Sequence, residues 1–136
     1  MNKVLELQQL LIDCAKNIAY LKQNNIFLYT SVPNGLKIPY IKIIGIENND
    51  ELKQCDIQTF VVSFFIATNG KNNSQVIEIC DCLSSCLGNA VNDYFLQNKT
   101  KCNIKIFNIY NYKYNIAEDL QNDMWYGKLS ISVDVL

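Results

Sequence analysis

The chain has 136 residues, of which 49% are hydrophobic and 18% are charged, and its formal net charge is −1. This composition is typical of a globular protein, and it excludes a disordered chain or a strongly basic nucleic-acid-binding protein. The sequence contains no histidine, which removes the most common general base and the most common zinc ligand. We therefore treat residues 1–136 as a single domain whose function depends on its architecture.

The sequence lacks the features of an exported or membrane protein. Its start is amphipathic and rich in polar residues, unlike a signal peptide. The longest apolar run, within residues 60–67, is interrupted by Ser63 and falls far short of the ~20 residues that a membrane-spanning helix needs. We expect a soluble, intracellular protein with six free cysteine thiols.

The first predicted elements are a helix and two strands. Apolar residues at 3.6-residue spacing predict an amphipathic helix over residues 4–21. A short strand follows at 26–30, and a second strand is predicted over 39–46. Pro39 suits the first position of that strand, where a missing backbone donor is tolerated. The charged sequence ENNDELKQCD at 47–56 is interpreted as a loop.

Residues 57–96 are the most informative stretch. They open with IQTFVVSFFIAT, in which both alternating faces are apolar, so we predict a central strand that buries both faces. The polar loop 69–75 contains Lys71 and precedes a predicted core helix. Gly88 lies on the polar side of that helix, where the helix could end or kink.

Two further strands complete the chain. Residues 103–114 are β-branched and aromatic, and strict alternation would place Tyr110, Tyr112 and Tyr114 on one face. The polar segment 115–123 is interpreted as an acidic loop. The last strand alternates between an apolar and a polar face. The polar face carries Lys128, Ser130, Ser132 and Asp134.

The order helix–strand–strand–strand–helix–strand–strand, with hairpin-like connections, predicts an α+β fold. We expect a mostly antiparallel sheet of about five strands with two helices packed on one face. The sequence shows no repeat, no linker and no second domain.

Cys80, Cys82 and Cys86 form the sharpest cluster of chemically active residue types. Their CxCxxxC spacing differs from the CxxC of zinc and redox sites. We interpret Cys80 and Cys86 as small core residues and Cys82 as a flanking residue. The alternative is a small ligand-binding, metal-binding or enzymatic domain that uses this helix. A fourth metal ligand would then have to be Cys14, Cys55 or Cys102.

The remaining candidates for chemistry also favour simpler interpretations. The carboxylate pairs at Asp50–Glu51 and Glu118–Asp119 lack aromatic shielding, so they are interpreted as solvated loop charges rather than as general acids or bases. Trp125–Tyr126 could stack on nucleic-acid bases, but the shortage of nearby basic residues favours core or interface packing. The sequence therefore predicts no catalytic residue, no cofactor and no metal site.

The order of these features resembles the tail-completion, or tail-terminator, proteins of long-tailed phages, prophages and gene-transfer agents. The likeness is carried by the N-terminal helix, by IPYIKI at 38–43, and by the strand, loop and helix in QTFVVSFFIATNGKNNSQVIEICDCL. A Trp-x-Gly at Trp125–Gly127 then precedes the alternating C-terminal strand. The likeness covers essentially the whole chain, with Pro39, Trp125 and Gly127 as motif residues. The cysteine-rich helix is not a mark of the family.

This resemblance implies a structural, non-catalytic virion protein. Such proteins form a ring, usually a hexamer, which caps the finished tail tube and joins the tail to the head. The implied partners are further copies of the chain, the major tail tube protein and the head connector proteins, while DNA passes through the lumen without sequence-specific binding. The protein would assemble in the host cytoplasm and end at the head–tail junction of the virion, with no membrane partner.

A ring needs a heterologous interface, in which one patch of each subunit complements a different patch of the next. We expect these patches on the polar sheet face, on the tyrosine face and on the two polar loops, and we expect some acidic residues to line the channel. The candidate interface residues are Asp50, Glu51, Lys53, Lys71, Tyr110, Tyr112, Tyr114, Glu118, Asp119, Leu120 and Asp123. The alternative within virion assembly is a head-completion or minor capsid protein at the same joint.

Overall fold

The computed structural model describes residues 2–54, 57–70, 72–98 and 103–136, with the side chains of 49–54 left out. Its strands form a five-stranded sheet in the order β1-β2-β3-β5-β4. β1 pairs with β2 in parallel and the other pairs are antiparallel, so the predicted α+β fold with a mostly antiparallel sheet is confirmed. The elements are α1 (Lys3–Ala15), α2 (Ala19–Gln23), β1 (Leu28–Tyr29), β2 (Tyr40–Gln54), β3 (Ile57–Asn69), α3 (Ser74–Gln97), β4 (Ile106–Asp119) and β5 (Met124–Val135).

The predicted first helix is divided into α1 and α2. Asn2 caps α1, because its side-chain oxygen accepts a hydrogen bond from the backbone N–H of Val4 at 2.8 Å. The helix stops at Ala15, and Ile18 is extended, with a ψ of 119°, before α2 begins. Ile18 is buried nonetheless. The apolar spacing therefore continues across the break, which is why the sequence predicted one helix.

β3 lies in the middle of the sheet, as predicted, between β2 and β5. One of its faces, which we call the helix face, packs into the core under α1 and α3. On the opposite face, which we call the open face, Ile57, Val61 and Phe65 are only half-buried. The prediction that β3 buries both faces is therefore wrong, because the helices that cover the sheet pack on the same side. The buried residues on the helix face of β3 are Phe60, Val62, Phe64 and Ile66.

α3 is the main helix of the core. It continues through Gly88 to Gln97 without a break. Of the described helices, none is long and apolar enough to cross a membrane. Except for Tyr94, which is only half-buried, the residues that the 3.6-residue apolar spacing predicts for the stripe of α3 are buried, and they are Val76, Ile79, Cys80, Leu83, Leu87, Ala90 and Val91.

Two segments that were interpreted as loops are largely strand. β2 continues to Gln54 and β4 continues to Asp119, so both hairpins are longer than predicted. Glu47 pairs with Val61, and Ala117 pairs with Tyr126. The pairing with β3 and β5 therefore decides the conformation of these polar stretches, whose composition indicated only that they meet solvent.

β5 approaches α3 closely at Gly127. A Cβ atom at this position would lie 3.0 Å from Val76 Cγ2 and 3.1 Å from Cys80 Sγ. Two residues earlier, Trp125 packs against the margin of the core, and its carbonyl oxygen accepts a hydrogen bond from Thr68 Oγ1 at 3.1 Å. The Trp-x-Gly motif thus marks the contact between the last strand and the core helix.

We expect Gly127→Ala to lower the free energy of unfolding by about 1–3 kcal/mol, the usual cost of overpacking a core. Gly45→Ala is the matched control, because Gly45 is also a strand residue and an added Cβ there would meet no atom within 4 Å. Chemical denaturation of both variants measures the difference. Equal stability of the two variants would contradict the close contact between α3 and β5.

Candidate assembly surfaces

The open face of the sheet combines aromatic and basic side chains. Phe65 stacks on Tyr126, with ring centroids 5.7 Å apart and ring planes at 26°. Lys42 and Lys128 are the register partners of Phe65 on the two neighbouring strands. Lys113 lies nearby on β4, where it pairs with Ser130, the residue two positions after Lys128 on β5. The polar face predicted for the last strand thus belongs to a surface whose aromatic centre is flanked by lysines.

Two irregularities in strand pairing shape the middle of this face. The register shifts between Ile43 and Gly45 in β2, and it shifts again between Tyr110 and Lys113 in β4. Between these positions the central strands carry small serine side chains. The result is a shallow depression of about 260 Å³, lined by Ile44, Ser63, Lys113, Lys128 and Ser130 among others.

The three tyrosines of β4 do not share a face. The Tyr114 hydroxyl donates a hydrogen bond to Asp81 of α3 at 2.8 Å, which raises the pKa of Tyr114. Tyr112 also packs against the core on the helix face. Tyr110 instead donates to Asp134 on the open face at 3.0 Å. The prediction of a common tyrosine face is wrong.

A bulge at Asn111 causes this separation. Asn111 has a φ of 57°, in the left-handed region that asparagine tolerates better than most residues. The extra residue shifts the pairing with β5 between Tyr110 and Lys113. Because a bulge interrupts the alternation of side chains, the residues before and after it point to opposite faces.

The predicted acidic pairs lie at opposite ends of the sheet. Asp50 and Glu51 belong to the far part of the β2–β3 hairpin, whereas Glu118 and Asp119 belong to the end of the β4–β5 hairpin. The register along β3 places these ends roughly 30 Å apart, at about 3.3 Å per residue. The structure therefore does not bring the two pairs together. Lys71 lies outside the described residues, as do the side chains of Asp50, Glu51 and Lys53.

The turn between β4 and β5 holds a leucine in solvent. Asp119 Oδ1 accepts hydrogen bonds from the backbone N–H groups of Gln121 and Asn122 at 3.2 and 3.3 Å, and Oδ2 accepts from the Asn122 amide at 2.8 Å. The bond from the Asn122 side chain is the main reason that the pKa of Asp119 is lowered. Leu120, inside this braced turn, is 82% exposed. Asp123, at the end of the turn, has a φ of 50°.

The cysteines of α3 serve mainly as packing groups. Cys80 is buried, whereas Cys82 and Cys86 are half-buried at the margin of the core, so the expectation of a core position for Cys86 is only partly met. Desolvation raises the pKa of Cys80 and of Cys82 to about 11 each. Within the described part of the chain, no three ligand-type residues come together to hold a metal ion. Of the cysteines considered as a fourth ligand, Cys14 is buried, and Cys55 and Cys102 lie outside the described residues.

We expect Cys82 to react slowly with iodoacetamide near neutral pH, and its rate to rise until about pH 11, because only the thiolate reacts and the pKa is about 11. Mass spectrometry of the alkylated peptide measures the rate, with denatured protein as the control. Fast labelling at neutral pH would instead support the reactive-cysteine alternative.

The raised pKa values of Cys80 and Cys82 also predict how stability depends on pH. The stability that the protonated thiols contribute is complete below the unfolded pKa of 9.0, and it is lost as the pH rises towards about 11.

The outer side of α3 is an acidic surface that the sequence analysis did not single out. Its exposed carboxylates are Glu78, Asp81 and Asp93, and the helix contains no lysine or arginine. Tyr20 donates to Glu78 at 2.8 Å, just as Tyr114 donates to Asp81. Desolvation and the bond to Glu78 raise the pKa of Tyr20 to about 12. The signal that could have revealed this surface is the single sign of all the charges in the helix.

Comparison with known proteins identifies the fold. No family model matches the chain, and no curated protein matches its sequence. Solved structures do match it. One is a chain from the "Virion of native gene transfer agent (GTA) particle", with a TM-score of 0.56 and 14% sequence identity. The match covers 95% of this chain and 93% of that one, so the two chains share their fold over nearly their whole length.

Proposed function

We propose that this protein is a structural, non-catalytic component of a virion of the phage or gene-transfer-agent kind. The observation that carries the proposal is the shared fold, which extends over 95% of the chain and belongs to a protein of a gene-transfer-agent virion. The residue chemistry agrees with this role. Burial raises the pKa of the Cys80 and Cys82 thiols to about 11, so these two are protonated near neutral pH, and Asp81, Asp119 and Asp134 act as hydrogen-bond acceptors within the fold.

Within the virion, we propose the role of a tail terminator. The chain would form a ring, most simply a hexamer, that caps the finished tail tube and joins it to the head connector while DNA passes through the lumen. Two features support this role. The sequence resembles that family in the order of its elements. The subunit also has two chemically different surfaces, the open face and the acidic outer side of α3, and a ring requires two different patches that complement each other. The protein would assemble in the host cytoplasm and remain at the head–tail junction.

We assign the axial contacts of this ring to the two ends of the sheet. In a ring whose strands run along the axis, one hairpin end meets the tube and the other meets the head. Tyr110 would contribute from the open face, whereas Tyr112 and Tyr114 support the contact with α3. The proposed contact residues at the hairpin ends are Asp50, Glu51 and Lys53 at one end and Glu118, Asp119, Leu120 and Asp123 at the other, and Lys71 is a further proposed contact residue.

Some of the acidic residues in this set would face the channel, where negative charge keeps passing DNA from binding tightly. An assembled ring with Asp50, Glu51, Glu118, Asp119 and Asp123 all on its outer rim would contradict this assignment.

Deleting the gene from its own virus-like element should leave DNA-filled heads beside overlong or unjoined tails. The reason is that tube polymerisation would have no stop and the head would have no tail surface to bind. Electron microscopy of lysates, with the gene supplied in trans as the control, measures both defects. Heads that leak DNA beside tails of normal length would instead identify a head-completion protein.

Leu120→Asp should leave the fold intact, because Leu120 is 82% exposed, but it should reduce tail joining at least ~10-fold by placing a charge in an apolar contact. Leu5→Asp is the matched control, since Leu5 is also a strongly exposed leucine (61%) and lies on α1. Both variants are tested by restoring particles to the deletion strain. Normal particle yield with Leu120→Asp would remove this turn from the proposed contacts.

A further inference from the structure

The two sides of the molecule differ in charge: three lysines cluster on the open face, which also carries Glu47, Asp119 and Asp134, whereas α3 carries only carboxylates. On the open face, Lys42, Lys113 and Lys128 make no ion pair with any side chain that the structure describes. On the other side of the molecule, every charge on α3 is negative. We infer that the open face of one copy packs against the outer side of α3 in a second copy, an inference that rests on the ring proposed above.

The positive charge is concentrated at one place on the open face. Lys42 and Lys128 lie on either side of Phe65 in the same row, and Lys113 borders the neighbouring depression. The acidic side chains nearest this region in the register are Glu47 on β2 and Asp119 at the end of β4, each two same-face positions along the sheet from the lysine closest to it. Asp134 lies further along and already accepts hydrogen bonds from Thr59 and Tyr110. The three lysines thus lack a local counter-charge among the described side chains.

The negative surface of α3 is well positioned to meet them. Tyrosine hydroxyls hold the Glu78 and Asp81 carboxylates, which lie one helical turn apart. Between these carboxylates and Asp93, the helix exposes the short side chains of Ser85 and Asn89. Short side chains let a flat surface approach the helix closely, so the Phe65–Tyr126 pair could pack there while the lysines reach the carboxylates.

The size of the open face suits a stable contact. Four strands at ~4.8 Å spacing, each with ~12 residues at ~3.3 Å, cover roughly 760 Å². Each partner in a standard protein interface contributes about 800 Å². The half-buried Val61, Phe65 and Tyr126, with the 49% exposed Ile44, provide the apolar centre that such interfaces have.

The position of the two surfaces determines the kind of assembly. They lie on opposite sides of the core, so a copy that binds through one surface leaves its other surface free for the next copy. This is a heterologous contact, which closes into a ring when the rotation per subunit allows it. A symmetric dimer through the open face would instead bring like-charged lysines together.

Charge reversal on each surface tests the inference. Lys42→Glu/Lys128→Glu reverses the open face, and Glu78→Lys/Asp93→Lys reverses α3 while leaving the Tyr114–Asp81 hydrogen bond in place. Each double variant should raise the dissociation constant for self-association at least ~100-fold, because like charges would meet across the contact. Lys22→Glu/Lys37→Glu, which reverses exposed lysines elsewhere, is the charge-matched control and should assemble as the wild type does. Sedimentation velocity measures association, and circular dichroism checks the fold.

Mixing the two reversed variants provides the decisive result. An equimolar mixture should assemble again, because each reversed surface then meets the other variant's reversed surface. Failure of the mixture to assemble, or a wild-type chain that stays monomeric at ~1 mM, would overturn the inference. If Lys42→Glu/Lys128→Glu assembles normally but is no longer retained on DNA-cellulose, the lysines face nucleic acid instead, which also overturns it. The gene-deletion phenotype tests the tail-terminator proposal independently of all these outcomes.

Discussion

The structure depends on a one-sided arrangement in which α1 and α3 cover the same face of the sheet. This arrangement explains why the centre of the helix face is buried and why the other face keeps aromatic and aliphatic side chains in partial contact with solvent. An antiparallel sheet tolerates one solvated face, and association with another surface would bury the apolar side chains of the open face further. The same constraint makes the fold suitable for assembly, since the uncovered face and the outer side of the helices are chemically different.

The contact between Gly127 and α3 fixes the distance between the two layers. With Val76 and Cys80 about 3 Å from the position of a Cβ atom, β5 and the helix are as close as a glycine permits. That closeness brings β4 near enough for Tyr114 to reach Asp81 and for Tyr112 to pack beside Gly88. The contact of Gly127 with Val76 and Cys80 therefore helps to set how close the Asp81 carboxylate lies to β4.

The sequence predicted what depends on regular periodicity. The central position of β3, the stripe of α3 and the apolar face of β5 all follow from side-chain alternation at 2 or 3.6 residues. The sequence did not predict the features that depend on how the strands pair with one another. The polar ends of β2 and β4 are strands because β3 and β5 supply their hydrogen bonds, and the tyrosines separate because Asn111 adds one residue to its strand. A single sequence does not contain these registers in a readable form.

The same distinction, between features set by periodicity and features set by strand pairing, applies to the candidate surfaces. Leu120 could be identified as an exposed turn residue from composition alone, but the hydrogen bonds through which Asp119 braces the turn could not. The acidic side of α3 can be read from the sequence, because every charge between Ser74 and Gln97 is negative. The lysines of the open face come from three separate strands. Only the strand order brings Lys42, Lys113 and Lys128 together, so the charge difference between the two sides is a property of the fold, and assembly through it requires the fold to form first.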